Sequence, residues 1–142
     1  ESLKRFIFPE LYFPREVYDL NETDREFVFD VMQRLPREFD FLKNQTSAFY
    51  DGYGKFLLFG DTKDPIPDHI EIRNKVGMAY GYLTDCAYIK DTKENIEYFL
   101  TATILVNENQ TFNDGVYEYD EVGIPFLAEL GRLAHSYMIQ NK

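Results

Sequence analysis

The sequence predicts an α+β fold, with helices packed on a three-stranded antiparallel sheet. Three observations carry that prediction. Apolar residues recur at helical spacing between residues 27 and 35. The period changes to two at Ile70 and holds, between polar turns, to about residue 107. A helical period returns near Ile124 and continues to the end of the chain.

The elements follow in order. Residues 1 to 22 interleave aromatics with prolines ("FIFPELYFPREVYDL"), and Pro9 and Pro14 argue for an extended, packed segment. Thr23-Asp-Arg-Glu26 has the form of a capping box. A helix over about 24 to 35 then carries Phe27, Val28, Val31, Met32 and Leu35, and Pro36 stops it. A second helix is expected over about 47 to 59, with Phe49, Tyr53, Phe56 and Leu57 on one stripe and Gly60 as its cap. "GDTKDPIPDH" reads as a solvated connection; its Asp61, Asp64 and Asp68 lack the spacing of a calcium loop.

Strands are expected over 70 to 76, 82 to 90 and 95 to 107. In the first, Ile70, Ile72, Asn74 and Val76 share one face, and Glu71, Arg73 and Lys75 the other. "DTKEN" is a hairpin turn. "IEYFLTATILV" is almost wholly apolar or β-branched, the pattern of a central strand covered on both faces. After the polar loop "NENQTFNDG", Pro125 suits the first turn of a closing helix that bears Phe126, Leu127, Leu130, Leu133, Ala134, Tyr137 and Met138. The chain thus divides into 1–66, an aromatic and proline-rich segment plus two helices, and 67–142, a meander plus the closing helix, together one domain or part of one.

With 142 residues, 44% of them hydrophobic, including 13 Phe and 11 Tyr, the chain can bury a core of ordinary size. The formal charge of -10 repels phosphate backbones and anionic membrane surfaces, so nucleic acid is not an expected partner. No apolar run reaches the ~18 residues of a membrane span. The single cysteine, Cys86, reads as a small buried hydrophobe without an internal disulfide partner. The chain opens on Glu1, and "FIF" is too short an apolar run for a secretory core, so a fragment or a processed chain is expected.

The chemistry is sparse. Ser2, Ser47 and Ser136 stand at no spacing that pairs them with an activating base, and neither Ser-x-x-Lys nor Gly-x-Ser-x-Gly occurs. His69 and His135 with Cys86 are too few for an ordinary zinc site, and no phosphate loop is visible, so neither metal nor cofactor is expected. Glu10, in "FPEL", is the carboxylate whose aromatic neighbours could desolvate it and raise its pKa. Lys75 and Gly77, two residues apart where the first strand runs into a turn, read either as the edge of an active site or as a hairpin turn after a surface lysine, and their spacing alone does not decide.

Three stretches, "IRNKVGMAYGYLTDCAYI", "IEYFLTATILVNEN" and "YEYDEVGIPFLAELGRLAHSY", resemble the carboxy-terminal part of class A β-lactamase-related serine hydrolases of the Bacteroidetes type. These belong to the serine β-lactamase and penicillin-binding transpeptidase superfamily. The resemblance implies that residues 70–142 follow that fold's order: an active-site strand, two further antiparallel strands and a terminal helix packed on the sheet. It makes Lys75 and Gly77 the first and third positions of a Lys-Ser/Thr-Gly triplet. Lys75 would then attract a substrate carboxylate, Gly77 would let a ligand approach the backbone, and the Met78 N–H would be an oxyanion donor. Val76 departs from the pattern, having no hydroxyl, and so leaves the acyl substrate, small molecule or peptide, open. The nucleophile motif and the Ser-x-Asn or Tyr-x-Asn motif would lie in an upstream part of the same bacterial protein, so this chain alone is expected to be inactive. Glu10 falls roughly where the family carries its deacylating glutamate, but the supporting Asn is missing and the role is not assigned. An extracytoplasmic location, periplasm or cell envelope, is implied by the resemblance alone. The competing reading is a non-catalytic, aromatic-rich domain that binds peptide or carbohydrate.

Overall fold

The computed structural model describes residues 1–42 and 48–142. Its centre is an antiparallel sheet in the order β1 (Ile70–Ala79), β2 (Tyr82–Asp91), β3 (Ile96–Leu105). β1 and β2 are joined by Tyr80-Gly81, whose φ values of 53° and 88° make the mirror-image turn that matches strand twist. A Cβ on Gly81 would also stand 2.8 Å from the Val106 carbonyl, so glycine is required there twice over.

Two hydrogen bonds at the sheet's ends set its ladder. The Thr92 amide donates to His69 O at 2.9 Å, and the Val106 amide donates to Gly81 O at 2.8 Å. Even-numbered residues of β2 therefore bond to β1 and odd-numbered ones to β3. On β1, the odd-numbered residues face β2 across the ladder, while Ile72, Asn74, Val76 and Met78 turn their N–H and C=O groups off the outer edge.

The sheet's core face carries Ile72, Asn74 and Val76 from β1, as the alternation predicts, and Leu83, Asp85, Ala87 and Ile89 from β2. Against it lie α3 (Phe56–Phe59) and the closing helix α4 (Ile124–Gln140), which Pro125 starts as expected. The α4 stripe is shifted from the expected one. Ile124, Leu127, Ala128 and Gly131 are buried, whereas Phe126 and Leu133 are 46% and 62% exposed. Gly131 explains the shift: a Cβ there would stand 2.4 Å from the Leu58 amide nitrogen, so this small residue lets helix and α3 backbone meet.

Four further expectations are corrected. The strand read as central, β3, is an edge strand of this sheet; burial alternates along it, with Phe99 and Leu105 exposed on the outer face, and β2 holds the middle. Its β-branched outer positions, Thr101 and Thr103, made it look doubly covered. The first long helix, α2 (Glu22–Gln33), is capped by Asn21, not Thr23. Asn21 Oδ1 accepts from the Asp24 amide at 2.9 Å while its Nδ2 donates to Asp24 Oδ2 at 2.7 Å, a reciprocal pair that places Thr23 inside the first turn.

Residues 48–55 form turns rather than the start of a second helix, Ser47 lies outside the described residues, and only Phe56–Phe59 closes a helical bond. Gly52 packs so closely on Phe59 O that a Cβ would reach 2.0 Å from it, and the Leu57 amide is given to the Asp85 carboxylate instead of a helix. Finally, the amino-terminal segment is not extended: α1 (Ser2–Ile7) precedes two 3₁₀ turns that begin at Pro9 and Pro14. The prolines open turns, where their missing N–H costs nothing. This segment covers one end of the sheet's outer face, with the Phe8 ring edge-on to Tyr88 and Phe99 at 5.6 and 6.0 Å. Arg73 stacks over Phe29 of α2 at 4.2 Å. Among the described residues no helix is long and apolar enough to cross a membrane.

Candidate functional site

The residues singled out in the sequence sit on β1, and the strand's pleat divides them. Lys75 and Gly77 project from the outer face, opposite Cys86 and Thr84, and both are exposed. Met78 projects to the other side, half exposed. What reunites them is the strand's outer edge. Val76 and Met78 present backbone groups there, and the Lys75 ammonium folds over the rim to donate to Val76 O. Nothing in the packing demands glycine at 77, where an added Cβ would meet only Thr84 Cβ at 3.9 Å, an ordinary contact.

Beside this edge opens a cleft of about 780 Å³, the size of a small-molecule site. The 48–61 segment gives it Tyr50 and Tyr53, β1 gives Val76 and Met78, and the chain entering α4 gives Tyr117, Tyr119 and Asp120. Hydrogen bonds fix two of the tyrosines in place. Tyr50 Oη donates to Gly60 O at 2.6 Å, and Tyr119 Oη accepts from the Gly81 amide at 2.7 Å. Burial, then the charges of Asp120 and Asp61, push the Tyr50 phenol up. Arg132 holds Asp61 bidentately, at 2.8 Å to each oxygen, and that bond keeps the Asp61 carboxyl below its usual range.

A second polar constellation lies inward of the edge, and sequence reading missed it. Lys55, 4% exposed, donates to Met32 O at 2.6 Å, Ile72 O at 3.0 Å and Asn74 Oδ1 at 2.8 Å. Asn74 Nδ2 donates on to Asp85 Oδ1 at 2.9 Å and to Gly54 O at 2.7 Å, and the Asp85 Oδ2 accepts from the Leu57 amide at 3.1 Å. All three ammonium protons are used, and the group ties the 54–57 turn to β1 and β2. Burial pushes Lys55 down to about 8 while the Asp85 charge opposes the shift, and burial pushes Asp85 up. The available signal was Asn74, a polar residue on an otherwise apolar strand face; its partner Lys55 sat in a stretch read as helix.

The remaining candidates have structural surroundings. His135 on α4 bridges Tyr98 Oη (3.0 Å to Nδ1) and Asp91 Oδ2 (3.1 Å to Nε2). Burial alone would raise Asp91, but the amides of Glu94 and Lys93 outweigh it and hold the carboxyl low. His69 gives its carbonyl to the β1–β2 ladder. Cys86 is half-buried on the outer face, not in the core, because it has odd-even parity with Lys75; its sulfur accepts from Thr101 Oγ1 at 3.1 Å. Glu10 is exposed in its 3₁₀ turn, so its aromatic neighbours do not enclose it. Asp64 and Asp68 are exposed in their loop, and Ser2 and Ser136 are exposed on α1 and α4. Among the described residues no group of three or more His, Cys, Asp or Glu side chains is arranged to hold a metal ion. Comparison with known protein families, with curated proteins and with solved structures gives no significant match to this chain.

Proposed function

We propose that this chain forms the substrate-binding wall of a serine acyl hydrolase of the β-lactamase and transpeptidase type, acting on a carboxylate-bearing acyl substrate. The serine nucleophile comes from outside these residues. The observation that carries the reading is the outer edge of β1. It combines an exposed lysine, a glycine that packing does not require, and outward-facing backbone groups at Val76 and Met78, and these last two residues line a cleft. A substrate laid along that edge would bond to the strand as a further strand does, with its carboxylate at the Lys75 ammonium and its acyl oxygen at a backbone N–H. Val76 offers no hydroxyl to the carboxylate, so Lys75 supplies the charge contact alone.

The test is an amide NMR titration of the chain with an acyl dipeptide carrying a free carboxylate, alongside its methyl ester. The acid is expected to move the Lys75–Met78 amides and the ester to leave them in place. Equal shifts with both, or none at these residues, would overturn the assignment of Lys75. A serine-directed acylating probe is expected to leave this chain unlabelled, because Ser2, Ser47 and Ser136 stand at no sequence spacing that pairs them with an activating base. Stoichiometric labelling would overturn the placement of the nucleophile.

A further inference from the structure

We infer that the tyrosine-lined cleft beside β1 binds an organic cation, an alkylammonium or guanidinium group carried on the ligand's arm away from Lys75. The inference deepens the reading above and rests on it only in taking the β1 edge as the place where a ligand lies.

The lining decides the chemistry. Tyr50 and Tyr53 form one edge-on pair, with centroids 6.4 Å apart and planes at 82°; Tyr117 and Tyr119 form a tilted pair, at 5.4 Å and 51°. Both pairs open onto the same cleft, together with Met78. Aromatic faces carry negative quadrupole charge and attract cations, and a polarisable thioether adds to the contact. Among the described residues the lining holds no Lys, Arg or His side chain, and no Asn or Gln.

Charge points the same way. The lining has two carboxylates, Asp61 and Asp120. Arg132 neutralises Asp61. Asp120 is exposed and has no ion partner among the described residues, and its charge is felt at the Tyr50 phenol across the cleft. Asp120 also lies in the first turn of the helical segment that opens at Tyr119, where a carboxylate offsets the helix dipole. That effect leaves the charge free to meet a ligand. The chain's net charge of -10 further favours a cation over an anion.

A neutral sugar fits less well. Its hydroxyls bring no charge to meet Asp120, and the Tyr50 O–H is already given to Gly60 O, although the Tyr117 and Tyr119 hydroxyls, which accept from backbone amides, keep an O–H to donate. The lining amide side chains that read sugars elsewhere are missing among the described residues.

The experiment follows the tyrosine ring resonances of the whole chain during titration with Nα-acetyl-lysine methylamide. The neutral comparison is the same compound acetylated on its side-chain amine. The cation is expected to shift the rings of Tyr50, Tyr53, Tyr117 and Tyr119 saturably, and the neutral compound is not. Asp120→Asn should weaken the cation by about two- to fivefold, the usual worth of one exposed charge contact, with less effect at high salt. Tyr53→Leu, at a half-exposed ring that stands edge-on to Phe49 and Tyr50, should weaken it by a similar factor. Equal shifts with both compounds, an unchanged affinity in Asp120→Asn, or saturation by a methyl hexoside in place of the cation would overturn the inference. The probe carries no carboxylate, so its binding does not call on Lys75. Failure of the carboxylate assignment at Lys75 and failure of the cation site are therefore read on different residues and with different ligands.

Discussion

Two lysines flank β1, and their surroundings are opposite. Lys75 stands exposed at the rim, bonded to the carbonyl of its own neighbour. Lys55 approaches the same edge lower down, is nearly sealed from water, and satisfies all three of its donors on Met32, Ile72 and Asn74. The difference teaches what an open strand edge requires. At Ile72 the outward carbonyl is buried, so a partner must come from inside the protein, and a lysine reaching from the 54–57 turn supplies it. At Val76 and Met78 the edge faces a cleft, and water or a ligand can take the same role. One strand edge is therefore sealed for stability over one half and left available over the other.

The largest expected effect breaks the sealed half. Lys55→Met keeps the volume but removes the ammonium, leaving Met32 O, Ile72 O and Asn74 Oδ1 without their donor and Asp85 without a nearby cation. Removing one member of a buried charged group costs about 3–5 kcal/mol. Urea unfolding with an unchanged slope should show a loss of that order. A loss under about 1 kcal/mol would mean that the network contributes register and little else.

A smaller effect sharpens the comparison through pH. Burial moves the Lys55 pKa from 10.5 down to about 8. Above pH 8 the unfolded chain keeps a proton that the folded chain has released, so the unfolded state binds more protons and stability rises with pH. Between about pH 7.5 and 9.5 the wild type should gain roughly 1–2 kcal/mol relative to Lys55→Met, since one pKa unit corresponds to about 1.4 kcal/mol. Urea midpoints of the two proteins across that range measure the gain. Parallel curves would show that the three acceptors hold the ammonium charged despite burial.

Much of this architecture could be read from residues alone, and the misreadings share a cause. The β1 alternation, the meander and the start of α4 follow from period and turn chemistry, because each is decided within a few residues. What failed depends on contacts distant in sequence. β3 shows β-branched side chains on both faces, but which face is covered depends on where α4 and Phe8 dock. The 48–59 stretch has a helical stripe, yet Gly52, the Leu57 amide and Lys55 are claimed by Phe59, Asp85 and Asn74. Lys75 and Gly77 were singled out through the family resemblance and not through their spacing; the tyrosine cleft could not be read at all, because Tyr50, Tyr53, Tyr117 and Tyr119 converge from segments more than 60 residues apart.

The smallest expected effect on stability falls on the open half, and its smallness is the point. Lys75 is exposed and, among the described residues, bonds only to the carbonyl beside it, so Lys75→Ala should change the unfolding free energy by no more than about 0.5 kcal/mol. A lysine with so little structural work, on a strand edge beside a cleft, is available for a ligand. The same variant should lose the amide shifts that a carboxylate-bearing acyl dipeptide produces at Val76 and Met78, and Lys75→Arg should recover part of them, since a guanidinium keeps the charge and can still reach a carboxylate. If Lys75→Ala instead destabilises the chain by 2 kcal/mol or more, roughly the cost of a buried contact, then Lys75 shields the strand edge and the two halves of β1 differ only in degree. If stability and ligand shifts are both unchanged, Lys75 is a solvated side chain and the open edge binds without it.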